Sequence, residues 1–501
     1  MAGVVPQDPA DGPSPIDLDA LRDRITGPMS HERFVERLQA AEFTDDEILD
    51  IELSYNLAKF GHHEQFRESG EPYFGHPRAV AVQLIEIRHA LLEAGRRDEA
   101  LAGVTRDGIV LALHHDTVED TKLFGGEGLR GVFAREISAF RLLWTYGVDV
   151  MCGIEALTKV EAGDHGISPA EAKLASVEKV TASAPMTRRV KQSDRLHNLR
   201  TLGATPPAKQ RRIVRATEEQ YLPSWERDAR SDEPGRVVSK ILLDLVRETI
   251  RQLRHSWRDQ DESEILPETP RMPTVEHIDL ERATAYEILD GIPGLTIVER
   301  QLIHFAYDIA AYGHTREEDA GEDGELSFEQ IKAATFDLMD EMTRRRSHDW
   351  KLIAASLLRD TVEHTYIFGS DAISGLSYDE VAARNIGKVF GSEVRHLVLS
   401  QTRHRASSEA TTNPHRAYVE RLQFAGPAAV LLQMTDTVER LKKLAGMSEP
   451  GQHAFVGLLD REYMPMFETF AEREGRLQDL LRRYLEVIRA QKRSVEHGWS
   501  S

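Results

Sequence analysis

The sequence predicts an all-α protein built from two related halves, on three observations. Leu, Ile and Val recur at three- and four-residue spacings, with charges between them, in Ala79–Ala90, Ala170–Lys179, Arg236–Leu253 and Phe467–Lys492. That is the period of amphipathic helices. Alternating β-branched runs are too short to found a large sheet, leaving only a small hairpin near Gly70–Phe74. Landmarks of the first half then recur in the second at nearly constant offset. His115-Asp116-Thr117-Val118-Glu119-Asp120-Thr121 faces Arg359-Asp360-Thr361-Val362-Glu363-His364-Thr365, five of seven positions alike, 244 residues on. Asp194 faces Asp436 and Tyr221 faces Tyr463, both at 242 residues.

Taken in order, residues 1–15, rich in Pro, Gly and Asp, are expected to be disordered. A first domain is expected over 16–258, followed by a linker over 259–278 and a second domain over 279–501. The linker contains DQDESEILPETPRMP (Asp259–Pro273), acids with three prolines and little periodicity, which favours extended, solvated backbone. A chain of 501 residues exceeds what one hydrophobic core organises, so two domains are its natural division. GEPYFGHP (Gly70–Pro77) faces GELSFEQI (Gly324–Ile331) at the larger offset of 254, which assigns an insertion around Gly95–Gly103 to the first copy.

Composition excludes several classes of function. With 83 Asp and Glu against 63 Lys and Arg, the net charge of −20 argues against bulk nucleic-acid or anionic-membrane binding. The single cysteine, Cys152, allows neither an intramolecular disulfide nor a thiolate zinc cluster. No apolar run is long enough to span a bilayer and the N-terminus lacks a signal-peptide pattern, so a cytoplasmic protein is expected.

Four residues of the first copy form a candidate metal-ligand set: His76, His115, Asp116 and Asp194. If one helix runs through the HHDTVED motif, Glu119 and Asp120 lie a turn beyond His115 and Asp116, as carboxylates placed to take a proton from bound water. Asp194 is read as opening another helix, with Asn198 and Thr201 at i+4 and i+7 beside it. Mixed imidazole and carboxylate donors suit first-row ions such as Mn²⁺ or Fe²⁺, and four protein ligands leave positions for water and phosphate oxygens. The run RRVKQSDRLHNLR (Arg188–Arg200) carries five cations and one acid, which favours an anionic substrate in an otherwise acidic chain. Only some of those cations can share one face. His114 and His115 point about 100° apart on a helix, so His115 is taken as the ligand and His114 as a packing or supporting residue.

FRESGEPYFGHPRAVA (Phe66–Ala81), LALHHDTVEDT (Leu111–Thr121), IEALTKV (Ile154–Val160), VKQSDRLHNLRTL (Val190–Leu202) and ATEEQYLP (Ala216–Pro223) together resemble the hydrolase domain of the RelA/SpoT family, within the HD superfamily of metal-dependent phosphohydrolases. The resemblance covers roughly residues 45–225, five motifs in the family's order. Together with the internal repeat it implies tandem HD-domain helical bundles, the second degenerate. It also implies removal of pyrophosphate from the 3′ position of ppGpp and pppGpp, with Mn²⁺ as cofactor and GDP or GTP as product. By matching position, His76, His115, Asp116 and Asp194 would hold one Mn²⁺, and Glu119 and Asp120 would orient and deprotonate water. Arg67, Ser69, Asn198, Thr201 and Tyr221 would contact the nucleotide, with Lys159 near the phosphates. Tyr221 has a counterpart, Tyr463, in the other copy, which points to packing as much as to ligand binding. The chain departs from the family at Glu68, where a lysine is usual, and this leaves guanine against adenine preference open.

In the second copy Gln330 stands for His76, Arg359 for His115, His364 for Asp120 and Arg440 for Asn198, while Asp360, Glu363 and Asp436 persist. Loss of both imidazoles is expected to abolish the metal site, with Arg359 pairing with Asp360 and Asp436 in its place. A rearranged site from Asp360, Glu363, His364 and Asp436 is the alternative. The copies are expected to pack on each other within the chain; a homodimer through the Phe467–Lys492 helix is the lesser option. Two other functions stay open: a phosphohydrolase of the same superfamily acting on NADPH or a dNTP, and a non-catalytic alarmone binder.

Overall fold

Helix starts are written into the sequence as side-chain caps. The computed structural model describes residues 16–27, 29–63, 65–67, 70–121, 123–124, 132–162, 166–257, 280–314, 327–402, 414–444 and 447–498. The N-terminal fifteen residues and the whole of the 259–278 linker lie outside them. The chain divides into two compact units, Met1–His277 and Ile278–Ser501.

In the first unit, Asp17 caps α1 (Leu18–Thr26) and Ser30 caps α2 (His31–Ala40). Thr44 and Glu47 form a reciprocal capping box on α3 (Asp45–Gly61). α4 (Gly75–Glu93) and α5 (Arg97–Gly103) follow, the latter filling the insertion read around Gly95–Gly103. Thr105 caps α6 (Arg106–His114), and a single turn, α7 (Thr117–Asp120), comes next. α8 (Val132–Tyr146) and α9 (Val148–Leu157) meet at Gly147, whose φ of 94° lies in the left-handed region that glycine enters without steric cost. α10 (Pro169–Ala182), α11 (Pro185–Arg200) and α12 (Pro207–Ala216) each begin with proline in the first turn, where no amide hydrogen is needed. A π-helical turn, Thr217–Tyr221, leads into α13 (Leu222–Arg230) and the long α14 (Arg236–Ser256).

The second unit contains α15 (Leu280–Asp290), α16 (Ile297–His314), α17 (Phe328–Arg344), α18 (Trp350–Leu358) and the one-turn α19 (Thr361–His364). α20 (Tyr378–Gln401) is kinked at Gly391, φ 85°, just as Gly147 divides α8 from α9. α21 (Pro414–Ala425), α22 (Pro427–Lys443), α23 (Glu449–Leu458), a π-turn Leu459–Tyr463, α24 (Met464–Glu472) and α25 (Gln478–Gly498) complete it. Packing partners recur in the same order. In the first unit α6 packs on α3, α4 and α9, and α11 on α4 and α14. In the second, α18 packs on α16, α17 and α20, and α22 on α17 and α25.

All described regular elements are helical. The hairpin expected near Gly70–Phe74 is one antiparallel bridge, Phe66 to Pro72, closed by the Arg67 amide on the Glu71 carbonyl at 2.8 Å. The single helix expected over Phe467–Lys492 is two, because the backbone leaves the helix at Arg473 (φ −69°, ψ 132°), two residues before Gly475. No described helix is long and apolar enough to cross a membrane.

The first unit's core joins Leu53, Leu84, Ile109, Leu113, Val190 and Leu196 at full burial, each contributing roughly 1.5–3 kcal/mol. Gly153 on α9 lets α6 and α11 come close. A Cβ there would stand 2.5 Å from Leu111 Cδ2 and 3.0 Å from Thr187 Oγ1. Both neighbours are held in the core, so Gly153→Ala is expected to destabilise the protein by about 1–3 kcal/mol through overpacking. A lowered urea midpoint checks this, and an unchanged midpoint contradicts it.

Candidate metal centre

Three helices of the first unit bring the candidate ligands together. His76 sits in the first turn of α4, directly after the Phe66–Pro72 bridge. His115 and Asp116 occupy the junction of α6 and α7, and Asp194 lies in the middle of α11. Two readings are corrected here. No single helix runs through His115 to Asp120: α6 ends at His114 and Asp116 takes φ −108°, ψ −5° before α7 begins. The break frees the His114 carbonyl, which accepts from Thr117 Oγ1 at 2.9 Å, and Thr121 Oγ1 donates to the Thr117 carbonyl at 2.7 Å. Asp194 does not open a helix, because Pro185 starts α11 nine residues earlier, where proline is tolerated.

The side chains converge. Ligating atoms of His76, His115 and Asp194, all buried, lie within 4.8 Å of one another, and among the described residues this is the one such cluster. The two imidazole Nε2 atoms are 3.1 Å apart. His76 Nε2 is 3.3 Å from Asp194 Oδ1, and Asp116 Oδ2 lies 3.1 Å from His115 Nε2 and 3.5 Å from His76 Nε2. His115 Nδ1 stands 2.8 Å from the Ala112 carbonyl. A proton on Nδ1 satisfies that contact and turns the Nε2 lone pair inward, the orientation a metal ligand needs.

Electrostatics point the same way. Burial alone would depress His115, yet the Asp116 carboxylate and then Asp194 outweigh it and push its pKa up to about 9. Burial opposes the ionised form of Asp194 too, but the Lys191 ammonium, 2.9 Å away, holds its carboxyl well below the usual range. The pocket therefore stabilises positive charge at its centre, as a divalent cation would supply it. Donor types, convergence and charge all fit such an ion.

Asp120 is pushed up, by its own burial and then by the charge of Asp116. Its Oδ2 and Asp116 Oδ2 each lie 2.9 Å from the hydroxyl of Tyr73, so one phenol ties the two acids together. Glu119 turns elsewhere: its Oε2 meets Lys159 Nζ at 2.5 Å, with the Lys159 amide on Oε1. Lys159 is otherwise exposed. The structure thus separates the two acids that the sequence reading took as a pair.

Arg67 donates to Asn198 Oδ1 at 3.1 Å, and Asn198 Nδ2 donates to Asp194 Oδ1 at 2.6 Å, a chain of contacts from the surface turn to the cluster. Thr201 is exposed and spends its hydroxyl on the His197 and Asn198 carbonyls of its own helix. Tyr221 is buried in the π-turn, under the Arg195 guanidinium (4.8 Å) and beside Trp225 (5.5 Å). Tyr463 is likewise buried beside Phe467, which favours packing for both tyrosines. Ser69 and Glu68 lie outside the described residues. His114 faces the core, its Nε2 3.0 Å from Tyr146 Oη, and burial lowers its pKa to about 3. Of the basic run, Arg188 and Arg189 are tied to Asp228 and Glu233, away from the cluster.

Sequence reasoning missed Tyr73, Lys191 and His197 as parts of this centre. His197 Nδ1 is 2.8 Å from His76 Nδ1, and its pKa is lowered to about 3, first by burial and then by His76. Each lay inside a quoted motif, three residues from a chosen ligand, and helix periodicity alone would have found Lys191 and His197.

The corresponding region of the second unit is built differently. Gln330 turns back to accept from the Ser327 amide at 2.9 Å, as a helix cap. Arg359, only 1% exposed, does not pair with Asp360 or Asp436 as expected. Asp436 Oδ2 is taken by Arg440 Nε at 2.8 Å and Gln433 Nε2 at 3.0 Å, because Arg440 stands one helical turn along the same face. The side chain of His364 lies outside the description.

No protein-family profile matches the chain. Part of it is similar to curated bacterial proteins. It is 30% identical over 182 residues to the bifunctional (p)ppGpp synthase/hydrolase SpoT of Escherichia coli K12, covering 36% of this chain and 22% of that protein. It is 30% identical over 174 residues to the guanosine-3′,5′-bis(diphosphate) 3′-pyrophosphohydrolase of Aquifex aeolicus, covering 35% and 21%. It is 33% identical over 173 residues to the GTP pyrophosphokinase of Streptomyces coelicolor, covering 34% and 17%. The chain thus spans only about a fifth of the length of these relatives.

Tyr73→Phe removes the one hydroxyl that fixes Asp116 and Asp120 together. It is expected to weaken divalent-ion binding by about 10- to 100-fold, the usual cost of losing an outer partner of a ligand. Calorimetric titration with Mn²⁺ measures this, and affinity equal to the parent protein contradicts it.

Proposed function

Over about a third of its length the chain is a RelA/SpoT-family protein, and from that premise we propose that its first unit is a Mn²⁺-dependent alarmone hydrolase. It would remove the 3′-diphosphate of (p)ppGpp to leave GDP or GTP and pyrophosphate. The second unit would be a degenerate HD-like copy of the first. The observation that carries the reading is the buried convergence of His76, His115 and Asp194, with Asp116 at 3.1–3.5 Å from both imidazoles and Asp120 one hydroxyl away.

His76, His115, Asp116 and Asp194 would hold the ion. What such a cation supplies is positive charge that acidifies water and draws phosphate oxygens in. The chain's own residues do the rest. Tyr73 holds Asp120 against the cluster, and burial beside Asp116 raises the proton affinity of that carboxyl, as a general base requires. A water so deprotonated attacks the phosphorus joined to the ribose 3′ oxygen. That P–O bond breaks and the 3′ oxygen departs as a hydroxyl after gaining a proton. Glu119, anchored by Lys159, steadies the far side of the water. Arg67, positioned by Asn198, would meet the entering nucleotide. Thr201 and Tyr221 contribute through shape, since their polar atoms or rings are engaged by their own surroundings.

Incubating the purified chain with Mn²⁺ and ppGpp is expected to release pyrophosphate and GDP. Asp120→Asn should cut kcat by about 10²- to 10⁴-fold while Mn²⁺ still binds. Phosphate released from NADPH, or triphosphate from a dNTP, would assign the centre to another phosphohydrolase. Tight ppGpp binding without turnover would make the protein a sensor.

A further inference from the structure

Asp120 is held from a second direction, by the turn that follows α3. His62 closes that helix and is 1% exposed, and the Gln65 amide donates to its carbonyl at 3.1 Å. Gln65 Nε2 donates to the Asp120 carbonyl, which ends the one-turn α7 and needs a donor from outside it. Since that amide nitrogen only donates, Gln65 Oε1 is the atom facing His62 Nδ1, 2.7 Å away, and it only accepts. Nδ1 therefore carries a proton. Burial lowers the His62 pKa to about 4, so this is the ring's one proton at neutral pH.

The same turn also holds Tyr73. Its ring stacks on the neutral His62, centroids 4.8 Å apart and planes 28° apart, while His76 stands nearly perpendicular to it at 6.2 Å. The Tyr73 amide donates to the Gln65 carbonyl at 2.8 Å. The contacts close on themselves: Gln65 grips the backbone of Tyr73 with its carbonyl and the backbone of Asp120 with its side chain. The Tyr73 hydroxyl, 2.9 Å from Asp120 Oδ2, holds the carboxyl itself. Asp120 is thereby fixed at main chain and side chain by residues 55 and 47 positions away. In the second unit, where both imidazoles are replaced, Ser327 stands in the place of Tyr73 and puts its hydroxyl 3.3 Å from Gln330 Oε1, at the start of α17.

We propose that His62 and Gln65 are positioning residues of the hydrolase centre, which aim the Asp120 carboxyl at the place where it takes a proton from water. Both act through Asp120, Gln65 on its backbone and His62 through Gln65 and the ring of Tyr73. The proposal rests on the hydrolase reading of the first unit and adds to it two residues outside the ligand set. A carboxyl held only by its own rotamers would sample other directions, and a displacement of about 1 Å is enough to slow a reaction on the order of a hundredfold.

The test uses two variants of the full chain. Gln65→Met, at a half-buried position, keeps the length of the side chain and loses both amide contacts. His62→Phe keeps the stack on Tyr73 and loses the donor; Gln65→Met carries the test if His62→Phe does not fold. With Mn²⁺ and ppGpp, each is expected to lower kcat about ten- to a hundredfold, with KM and calorimetric Mn²⁺ affinity within about twofold of the parent. Added to Asp120→Asn, Gln65→Met should cost nothing more, because the group it aims is no longer a base. In the metal-free chain, Gln65→Met should quicken hydrogen exchange of the 117–121 amides several-fold, a readout that needs no turnover. Parental kcat in Gln65→Met overturns the positioning role and leaves the hydrolase reading in place, as does unchanged exchange or a full further loss on top of Asp120→Asn. Mn²⁺ affinity falling in step with kcat also overturns it, since the turn would then support the ligands instead. A parent chain that releases no pyrophosphate from ppGpp overturns the hydrolase reading itself, and this role with it.

Discussion

Two imidazole nitrogens 3.1 Å apart, with two carboxylates against them, cannot stand in a buried pocket without positive charge between them. In the chain alone that charge comes as a proton on His115 and as the Lys191 ammonium beside Asp194. Neither is an economical solution, since each is itself desolvated. A divalent cation would satisfy all four donors at once and would leave the imidazoles neutral. The surrounding contacts read as consequences: the Ala112 carbonyl sets the face that His115 presents, and Asn198 holds Asp194. Tyr73 joins the cluster to Asp120.

The geometry depends on a backbone device, the break between α6 and α7. A continuous helix would have separated His115 and Asp116 by about 100°. With helical hydrogen bonding interrupted there, both side chains reach the same centre. Thr117 and Thr121 make the break affordable by bonding the carbonyls it exposes. Thr361 and Thr365 do the same in the second unit, donating to the Leu358 and Thr361 carbonyls at 2.6 and 2.5 Å. The shared motif therefore has two layers. Its threonines bond the same carbonyls in both halves, whereas Arg359 and His364 stand where the first half has His115 and Asp120.

That division explains what was legible. Helical periodicity, proline at helix starts and Ser, Thr or Asp caps placed most elements, because each is a local rule. Motifs of distinctive composition singled out His76, His115, Asp116 and Asp194, and the structure brings the ligating atoms of His76, His115 and Asp194 together. The break at His115–Asp116 was not legible: HHDTVEDT holds weak helix formers and only one good one, but propensity does not say where the helix ends, and threonine side chains bond the carbonyls at the interruption. The separate fates of Glu119 and Asp120 were equally hidden. Adjacent acids look like a pair, but Lys159 and Tyr73, brought in from 40 and 47 residues away, pull them to different tasks.

The mistaken pairing of Arg359 carries the most physical content. Sequence logic placed its charge against Asp360 and Asp436, since no metal was expected beside those acids. Asp436, however, had gained Arg440 one helical turn away, and an i, i+4 pair on a rigid helix forms with less ordering cost than a contact between helices. Arg440, standing where the first unit has Asn198, balances the Asp436 charge locally. Arg359 then pairs with neither acid, and its hydrogen bond runs to Thr435 Oγ1 at 3.4 Å. At three of the places around the first unit's cluster, those of His76, His115 and Asn198, the second unit has Gln330, Arg359 and Arg440. Each change removes a neutral donor, and two of them install a fixed positive charge.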